Sequence, residues 1–538
     1  MLTSKVSRRG MVSAPHHLAA QAGLAVLREG GNAIEATVAA AATAAVVCPH
    51  RAGLGGDGMW IVHEPGRPPV SIDGSGAAGA QAEAPVWRTR GLSRVPAHGP
   101  EAACTVAGCV SGWQSALDLS ARWGGRLPVA RLLAEAIDHA RDGVPVSHDQ
   151  ERCLRRLLGA LKDQPGFSAC FLDAQGRVPR AGTVRTAPAL ARTLALLGAE
   201  GLDGFYRGAS GQALAADLKA VGALVSAGDL ARHRPVRRRT LALTLGGDLA
   251  VVHVTPPPTQ GLATAMILGL FQRAGVRGAL DPAWARVLSE AAGVAGRIRD
   301  TRIADPRFMG VHAATYLSAR VLDDLAAGLG LPQGTETGAA EGVRVGATEG
   351  DSLWIGVADG AGRVVSYAQG LGRGFGSGVV LPGTGVLWHG HGAAFSLDDD
   401  APNPLTPGRK PPHPLAPALA RLRDGRVMAV GCSGGLGTPL GLAAVFVRAA
   451  LFGENVQAAV SAPRWRLEGD AGGRPAGVVA ESRLDAAVIE EFSRHGQRVS
   501  VTEPFDESMG VAGAIVAHPE GTLEGAVDPR ADGTVAAW

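Results

Sequence analysis

Ser352 follows Gly350-Asp351 and heads a short apolar run, residues 353–358. If the chain is cut before it, one residue carries a hydroxyl and a free α-amine together, a nucleophile with its own base. Asp359-Gly360-Ala361-Gly362 has the residues a tight turn needs, and residues 363–369 read as a returning strand. Locally, the same pattern is met more often in a serine that simply begins a strand after a loop. A second stretch with chemical potential is Gly431-Cys432-Ser433-Gly434-Gly435-Leu436-Gly437, a glycine-rich turn between an expected strand at 427–431 and an expected helix at 440–452. Backbone N–H groups freed at such a turn can meet a developing oxyanion. A third, Pro49-His50-Arg51-Ala52-Gly53-Leu54-Gly55-Gly56-Asp57-Gly58, leads into an expected strand at 59–63. With no Gly-Lys-Ser/Thr and no helix after it, it is neither a phosphate loop nor a dinucleotide fingerprint.

Around these stretches the periodicity predicts helices at 18–29, 34–47, 105–122, 132–142, 188–197 and 211–221. Residues 241–253 alternate as a strand and stop at Pro256-Pro257-Pro258, followed by helices at 260–270, 282–301 and 317–329. Residues 330–351 are polar, glycine-rich and unpatterned, as in a functional loop or linker. Beyond Ser352 the texture turns toward β, with apolar runs at 379–381, 386–388 and 511–517 and a helix at 483–495.

At 538 residues with 46% hydrophobic composition, the chain can bury a large core. The net charge of +3 is small, and the densest basic patch, residues 234–239, reads as the solvated start of a strand, so nucleic acid is not an expected partner. Residues 36–47 are apolar but short, and the first ten are polar and basic, so no membrane segment is expected. Six cysteines without a CxxC pair argue against a zinc ribbon and for thiols in a reducing compartment, which places the protein in the cytoplasm.

Gly10-Met11-Val12-Ser13-Ala14-Pro15-His16, Gly30-Gly31-Asn32-Ala33-Ile34-Glu35-Ala36 and Gly53-Leu54-Gly55-Gly56-Asp57-Gly58 form an ordered series. It continues through Pro256-Pro257-Pro258-Thr259-Gln260-Gly261, Asp305-Pro306, Gly374-Phe375-Gly376-Ser377-Gly378, Ala462-Pro463-Arg464 and Asp528-Pro529-Arg530-Ala531-Asp532-Gly533. The series resembles the γ-glutamyltranspeptidase family of N-terminal nucleophile hydrolases, from about residue 10 to the end. The resemblance implies an α/β fold, a four-layer αββα sandwich, made as a proenzyme that cleaves itself into a large subunit, 1–351, and a small one, 352–538. It puts the nucleophile at Ser352, where the family usually has Thr, with Thr348 as the alternative, and the oxyanion glycines at Gly434 and Gly435. It implies no cofactor and no metal.

The departures concern substrate. Ile72-Asp73-Gly74-Ser75-Gly76-Ala77-Ala78 lacks the arginine that grips a γ-glutamyl carboxylate in the family, and Ala394 stands where an acidic residue holds the α-amine. His413-Pro414 replaces a serine pair, and Gly370 and Gly372 replace polar neighbours. Arg51, Arg373, His389, His391, His413 and Ser433 are the polar candidates for lining the pocket. The expected function is therefore an autoprocessing amidohydrolase acting through an acyl-enzyme on a small, non-glutamyl amide, oxamate-like or acyl. A γ-glutamyl hydrolase or transferase with a rebuilt clamp and a non-catalytic scaffold are the alternatives. The expected partners are that substrate and the two subunits of one precursor, with a homo-oligomer left open.

Overall fold

The computed structural model describes residues 3–247, 249–276, 278–329, 352–469 and 475–538. The polar stretch at 330–351, and with it Thr348, lies outside the described residues. Two seven-stranded antiparallel sheets face each other. One runs, edge to edge, Thr534–Ala537, Gly10–Ala14, Ser352–Asp359, Val364–Gly370, Asp57–His63, Val70–Gly74, Val236–Arg239. The other runs Lys5–Ser7, Leu523–Val527, Ala512–Ala517, Val427–Cys432, Ala418–Leu422, Ala250–Val254, Leu241–Leu245. Strands from before and after residue 352 interleave in both.

Alternation along each strand sorts its side chains between two cores. On the Ser352–Asp359 strand, Leu353, Ile355 and Val357 join a helix-side core with the helices His17–Arg28, Ala33–Val47, Cys109–Ser120 and Val129–Asp142. Trp354 and Ala358 point the other way, into a thin core between the sheets with Met11, Ile61, Leu419, Ala429 and Ile515. On the outer face of the second sheet, helices Gly261–Arg273, Ala283–Arg302 and Thr438–Phe446 close the fourth layer. The fold is the αββα sandwich that the sequence implied.

Ala33–Val47 is buried along its whole length, and its small side chains let it lie close on the first sheet. Asn32 caps it through a reciprocal box with Glu35, and Asp359 Oδ2, at the end of the Ser352 strand, accepts from Ala33 N at 3.1 Å. The Gly30-Gly31-Asn32 motif is thus a joint between helix and hairpin. In the glycine-rich loop, a Cβ on Gly55 would lie 2.3 Å from Leu387 O and one on Gly56 2.5 Å from Gly370 O. Those glycines permit backbone to lie on backbone.

Several expectations need correction. Residues 241–253 are a hairpin, Leu241–Leu245 and Ala250–Val254, because Gly246 and Gly247 take positive φ (48° and 56°) and turn the chain back. The helix expected at 440–452 is α-helical over Thr438–Phe446 and widens into a π turn, Val447–Leu451. Residues 379–381 and 386–388 form isolated bridges in place of strands, Val380 to Leu387 around a tight turn and Trp388 to Gly55. The basic patch does enter a strand as expected, the edge strand Val236–Arg239, with Arg237 held by Ser115 and Asp118. No helix among the described residues is long and apolar enough to cross a membrane.

Two buried histidines outside the Asp57 cluster tie stability to pH. His16 caps its helix, with Nδ1 accepting from Leu18 N at 3.2 Å, and burial with His17 beside it pushes its pKa down to about 3. His233 packs on Ser111, with Nε2 2.8 Å from its hydroxyl, and burial followed by the Lys410 charge lowers it to about 4. Unfolded histidine takes its proton near pH 6.5, whereas these stay neutral in the fold. The unfolded chain therefore binds more protons below that value, and stability falls as pH drops from about 6.5 toward 4. Thermal melts should show a lower Tm at pH 5 than at pH 7.5, and a His16→Gln/His233→Gln variant should show a shallower dependence; an equal slope in the variant would contradict this assignment.

Candidate active site

Ser352 is the first residue of its strand and almost fully buried. It lies opposite Gly370, which in turn lies opposite Asp57 on the next strand, so the three share one row of the ladder. A Cβ on Gly370 would sit 3.0 Å from Ser352 Cβ and 3.3 Å from Leu415 Cδ2. The absent side chain leaves the row open between Ser352 and Asp57. Ser352 shares a strand face with Trp354, whose ring lies against Gly431 of the opposite sheet. Leu415 stands just ahead of Ala418–Leu422, which pairs Ala418 with Val430. Ser352 is therefore at the end of the sandwich where Val427–Cys432 runs out into the Ser433–Gly437 turn.

That turn needs its glycines: Gly434 has φ 136° and Gly435 φ 57°. Gly435 opens a 3₁₀ turn, Gly435–Gly437, that runs into Thr438–Phe446. N–H groups at a helix start have no acceptor within the helix and lie at its positive end, as an oxyanion site requires. The turn is held from two sides. Gln260 Nε2 donates to Pro414 O and Gly435 O, both at 2.6 Å, while Arg299 Nη1 donates to Gln260 Oε1 at 3.2 Å and Leu436 O at 3.0 Å. On the other side Ser433 N donates to Val511 O at 2.8 Å, and Val511 N donates back to Ser433 Oγ at 2.9 Å.

Across Gly370, a buried polar cluster surrounds Asp57. Its Oδ2 lies 3.0 Å from His391 Nδ1, 3.0 Å from His413 Nε2 and 3.9 Å from His389 Nδ1. Its Oδ1 accepts from Gly108 N at 2.9 Å and Gly76 N at 3.3 Å. Burial opposes this charge, but His389 nearby and the bonds from His391 and His413 hold the carboxyl well below the usual range. The tautomers follow from the partners. His389 Nε2 donates to Thr105 O at 3.1 Å, which leaves Nδ1 as an acceptor. His413 Nδ1 accepts from Leu415 N at 3.3 Å, so its Nε2 carries the proton given to Asp57. His391 Nδ1 donates within the cluster, to Asp57 and to His389 Nδ1 at 2.8 Å. Its Nε2 is left as a bare acceptor, buried and without a hydrogen-bond partner among the described residues. Burial, and then His413, push His391 down to about 3, so it is neutral near pH 7. The neighbouring Cδ2 would be 3.4 Å from a Cβ on Gly372.

Of the polar candidates, His391 and His413 meet at Asp57, together with His389. Ser433 is at the Gly434–Gly435 turn, with its hydroxyl engaged by Val511. Arg51 is buried with its Nε 2.7 Å from Asp149, which also holds His50 at 2.9 Å. Arg373 is half-buried in the loop after the second hairpin strand. Ser75 bonds back to Asp73, whose other oxygen holds Lys410 Nζ at 2.8 Å, and Ala394 is exposed. Sequence reasoning missed Asp57, Gln260 and Arg299. Asp57 and Gln260 lay within quoted motifs, and a lone charged or amide residue among glycines and prolines was the signal available.

A hydroxyl that begins a central strand of an αββα sandwich, facing a glycine turn, is the arrangement of an N-terminal nucleophile amidohydrolase. The chain belongs to the γ-glutamyltranspeptidase family, whose model matches residues 19–538. An oxamate amidohydrolase proenzyme from Klebsiella pneumoniae subsp. pneumoniae is 46% identical over 539 residues, covering 100% of both chains. A glutathione hydrolase-like YwrD proenzyme from Bacillus subtilis is 32% identical, covering 99% of each. The crystal structure of a cephalosporin acylase from Bacillus halodurans superposes with a TM-score of 0.87 at 28% identity, covering 99% of this chain and 97% of that one. The chain is an amide hydrolase of this family, set apart from its standard γ-glutamyl enzymes.

Replacing Gln260 by Leu strands two buried carbonyls at about 1–3 kcal/mol each and loosens the turn against the His413–Leu415 segment. The expected result is a fall in kcat of about 10–100-fold, with KM changed less than about threefold. Steady-state kinetics check it, and an unchanged kcat would remove Gln260 from the positioning of the turn.

Proposed function

We propose that the chain is cut before Ser352 and that the new N-terminus hydrolyses a small amide of the oxamate type. Ser352 Oγ attacks the amide carbon while its α-amine takes the hydroxyl proton. The N–H groups of Gly434 and Gly435 bind the oxyanion. Collapse breaks the C–N bond, the α-amine returns the proton to the leaving ammonia, and the acyl group remains as an ester on Ser352. Water, deprotonated by the same amine, releases the acid; for oxamate the products are oxalate and ammonium. His391 Nε2, a neutral acceptor, accepts from a substrate N–H. Six cysteines with no disulfide among them fit a reducing compartment, and we place the enzyme in the cytoplasm.

The observation that carries this reading is the whole-length similarity to the Klebsiella oxamate amidohydrolase. The side chains at the positions where the family clamps a γ-glutamyl head group, and the nearby candidate cations in sequence, support it. A γ-glutamyl head group brings one positive and one negative charge, and each buried charge needs a partner. Ala394 offers none, and Lys410 and Arg51 are engaged by Asp73 and Asp149. The similarity to a glutathione hydrolase-like protein keeps γ-glutamyl turnover as the second reading.

Denaturing mass spectrometry of purified protein should give two chains, the smaller beginning Ser352-Leu353-Trp354. Ser352→Ala should remain one inactive chain, while Thr348→Ala is cut and active. Full amidase activity from an uncut chain would sink the mechanism, since the α-amine would still be locked in a peptide bond.

One missing charge partner costs about 2–4 kcal/mol of binding. Glutathione and γ-glutamyl anilides should therefore show a kcat/KM lower than that for oxamate or the best small amide by at least roughly two orders of magnitude. Equal specificity constants would favour the second reading.

A further inference from the structure

We propose that Asp57, His389 and His391 form a binding site for one divalent transition-metal ion of the zinc class. The converging atoms are Asp57 Oδ2, His389 Nδ1 and His391 Nδ1, separated by 2.8, 3.0 and 3.9 Å. A four-coordinate ion holds nitrogen and oxygen ligands at about 2.0–2.1 Å, which puts neighbouring ligand atoms about 3.3 Å apart. The observed separations bracket that value, and small ring movements would equalise them. Two imidazoles and a carboxylate suit zinc and its neighbours in the first transition row rather than magnesium or calcium, which take oxygen ligands.

The surroundings have the pattern of outer partners that orient metal ligands. His389 Nε2 donates to Thr105 O, which turns the Nδ1 lone pair into the cluster. Asp57 Oδ1 is fixed by Gly108 N and Gly76 N, and His413 Nε2 donates to Oδ2. His413 is not itself a ligand, because Leu415 N occupies its other nitrogen.

Among the described residues the other ring nitrogen of His391, Nε2, has no hydrogen-bond partner, on a side chain that is only 2% exposed, so nothing there fixes the ring's tautomer. Without an ion the ring proton sits on Nδ1, inside the triangle. With an ion bound, Nδ1 supplies its lone pair to the metal and the proton moves to Nε2. The ring stays neutral and no proton is gained or lost. The same atom then changes from acceptor to donor on the side facing Gly372, so the ion would switch His391 from recognising an N–H group to recognising a carboxylate. Three protein ligands leave a fourth position for water or a substrate oxygen.

The test uses tag-free, full-length protein stripped with a chelator and titrated with Co2+, then Zn2+. One Co2+ per chain should bind, with the visible absorption of a four-coordinate nitrogen–oxygen site, and Zn2+ should displace it. His389→Gln and Asp57→Asn should each weaken binding by more than about 100-fold, and His413→Gln by about 10–100-fold. Melting curves identify any variant that fails to fold, and such a variant is replaced by His391→Asn. Ser352→Ala should bind the ion as the parent does, so the result stands apart from the reading of Ser352 as nucleophile. Substoichiometric Co2+ in the parent, or binding that survives His389→Gln, would overturn the site and leave a hydrogen-bonded cluster only.

Discussion

Everything at the mouth of the sandwich depends on one aromatic wedge, Trp354. Its indole Nε1 donates to Ser366 Oγ at 2.9 Å, and its ring lies so close to three glycines that no side chain fits there. A Cβ would meet the ring at 2.3 Å from Gly356, 2.0 Å from Gly431 and 2.6 Å from Gly513. Those glycines belong to its own strand and to two strands of the opposite sheet. The ring therefore sets the spacing between the sheet that carries Ser352 and the sheet that runs out into the Ser433–Gly437 turn. Truncating a buried tryptophan typically costs about 3–5 kcal/mol. Here it would also free the two halves of the site to shift relative to one another.

The second constraint is electrostatic and lies behind the turn. Arg464 donates to Gly510 O at 2.6 Å and pairs with Asp528, which accepts from Ala512 N at 2.8 Å and from Arg530 Nη1 at 2.9 Å. Arg530 continues to Glu481. All four charged side chains are buried. Breaking a buried pair costs about 3–5 kcal/mol because the remaining charge has no partner, so this network has one low-energy arrangement. It fixes Gly510, against which Ser433 packs so tightly that a Cβ on Gly510 would lie 1.9 Å from Ser433 O. The motifs Ala462-Pro463-Arg464 and Asp528-Pro529-Arg530 thus act on the site through the turn without touching its mouth.

Much of the fold was legible because it is written in local periodicity. The helices His17–Arg28, Ala33–Val47 and Pro188–Glu200 and the hairpin at Ser352 lie close to where apolar spacing and turn residues put them. Elements held mainly by tertiary pairing were harder to see. Ala418–Leu422 has the composition of a helix and becomes a strand because Ala250–Val254 and Val427–Cys432 flank it. The small sheet of Trp465–Gly469, Pro475–Glu481 and Arg498–Thr502 was not foreseen for the same reason. Of the site, the local parts were readable: Ser352 at the start of its strand and the glycines after residue 433. The Asp57 cluster was not, since residues 57, 389, 391 and 413 come together only through the ladder and the loop under Gly55.

The cluster also shows why charge in this site differs from a clamp for a zwitterion. Its one formal charge, on Asp57, is already met by two imidazole N–H donors and two backbone N–H donors, all buried. An ammonium brought to the same place would compete with that neutralised carboxylate and would gain little, because the donors cannot turn away without losing their own bonds. What the cluster leaves unmet, among the described residues, is a single neutral acceptor, the buried His391 Nε2. A neutral acceptor discriminates by hydrogen-bond polarity and shape, and it tolerates an uncharged N–H far better than it stabilises a fully desolvated cation. The physical economy of the site therefore favours a compact amide whose own N–H groups are uncharged.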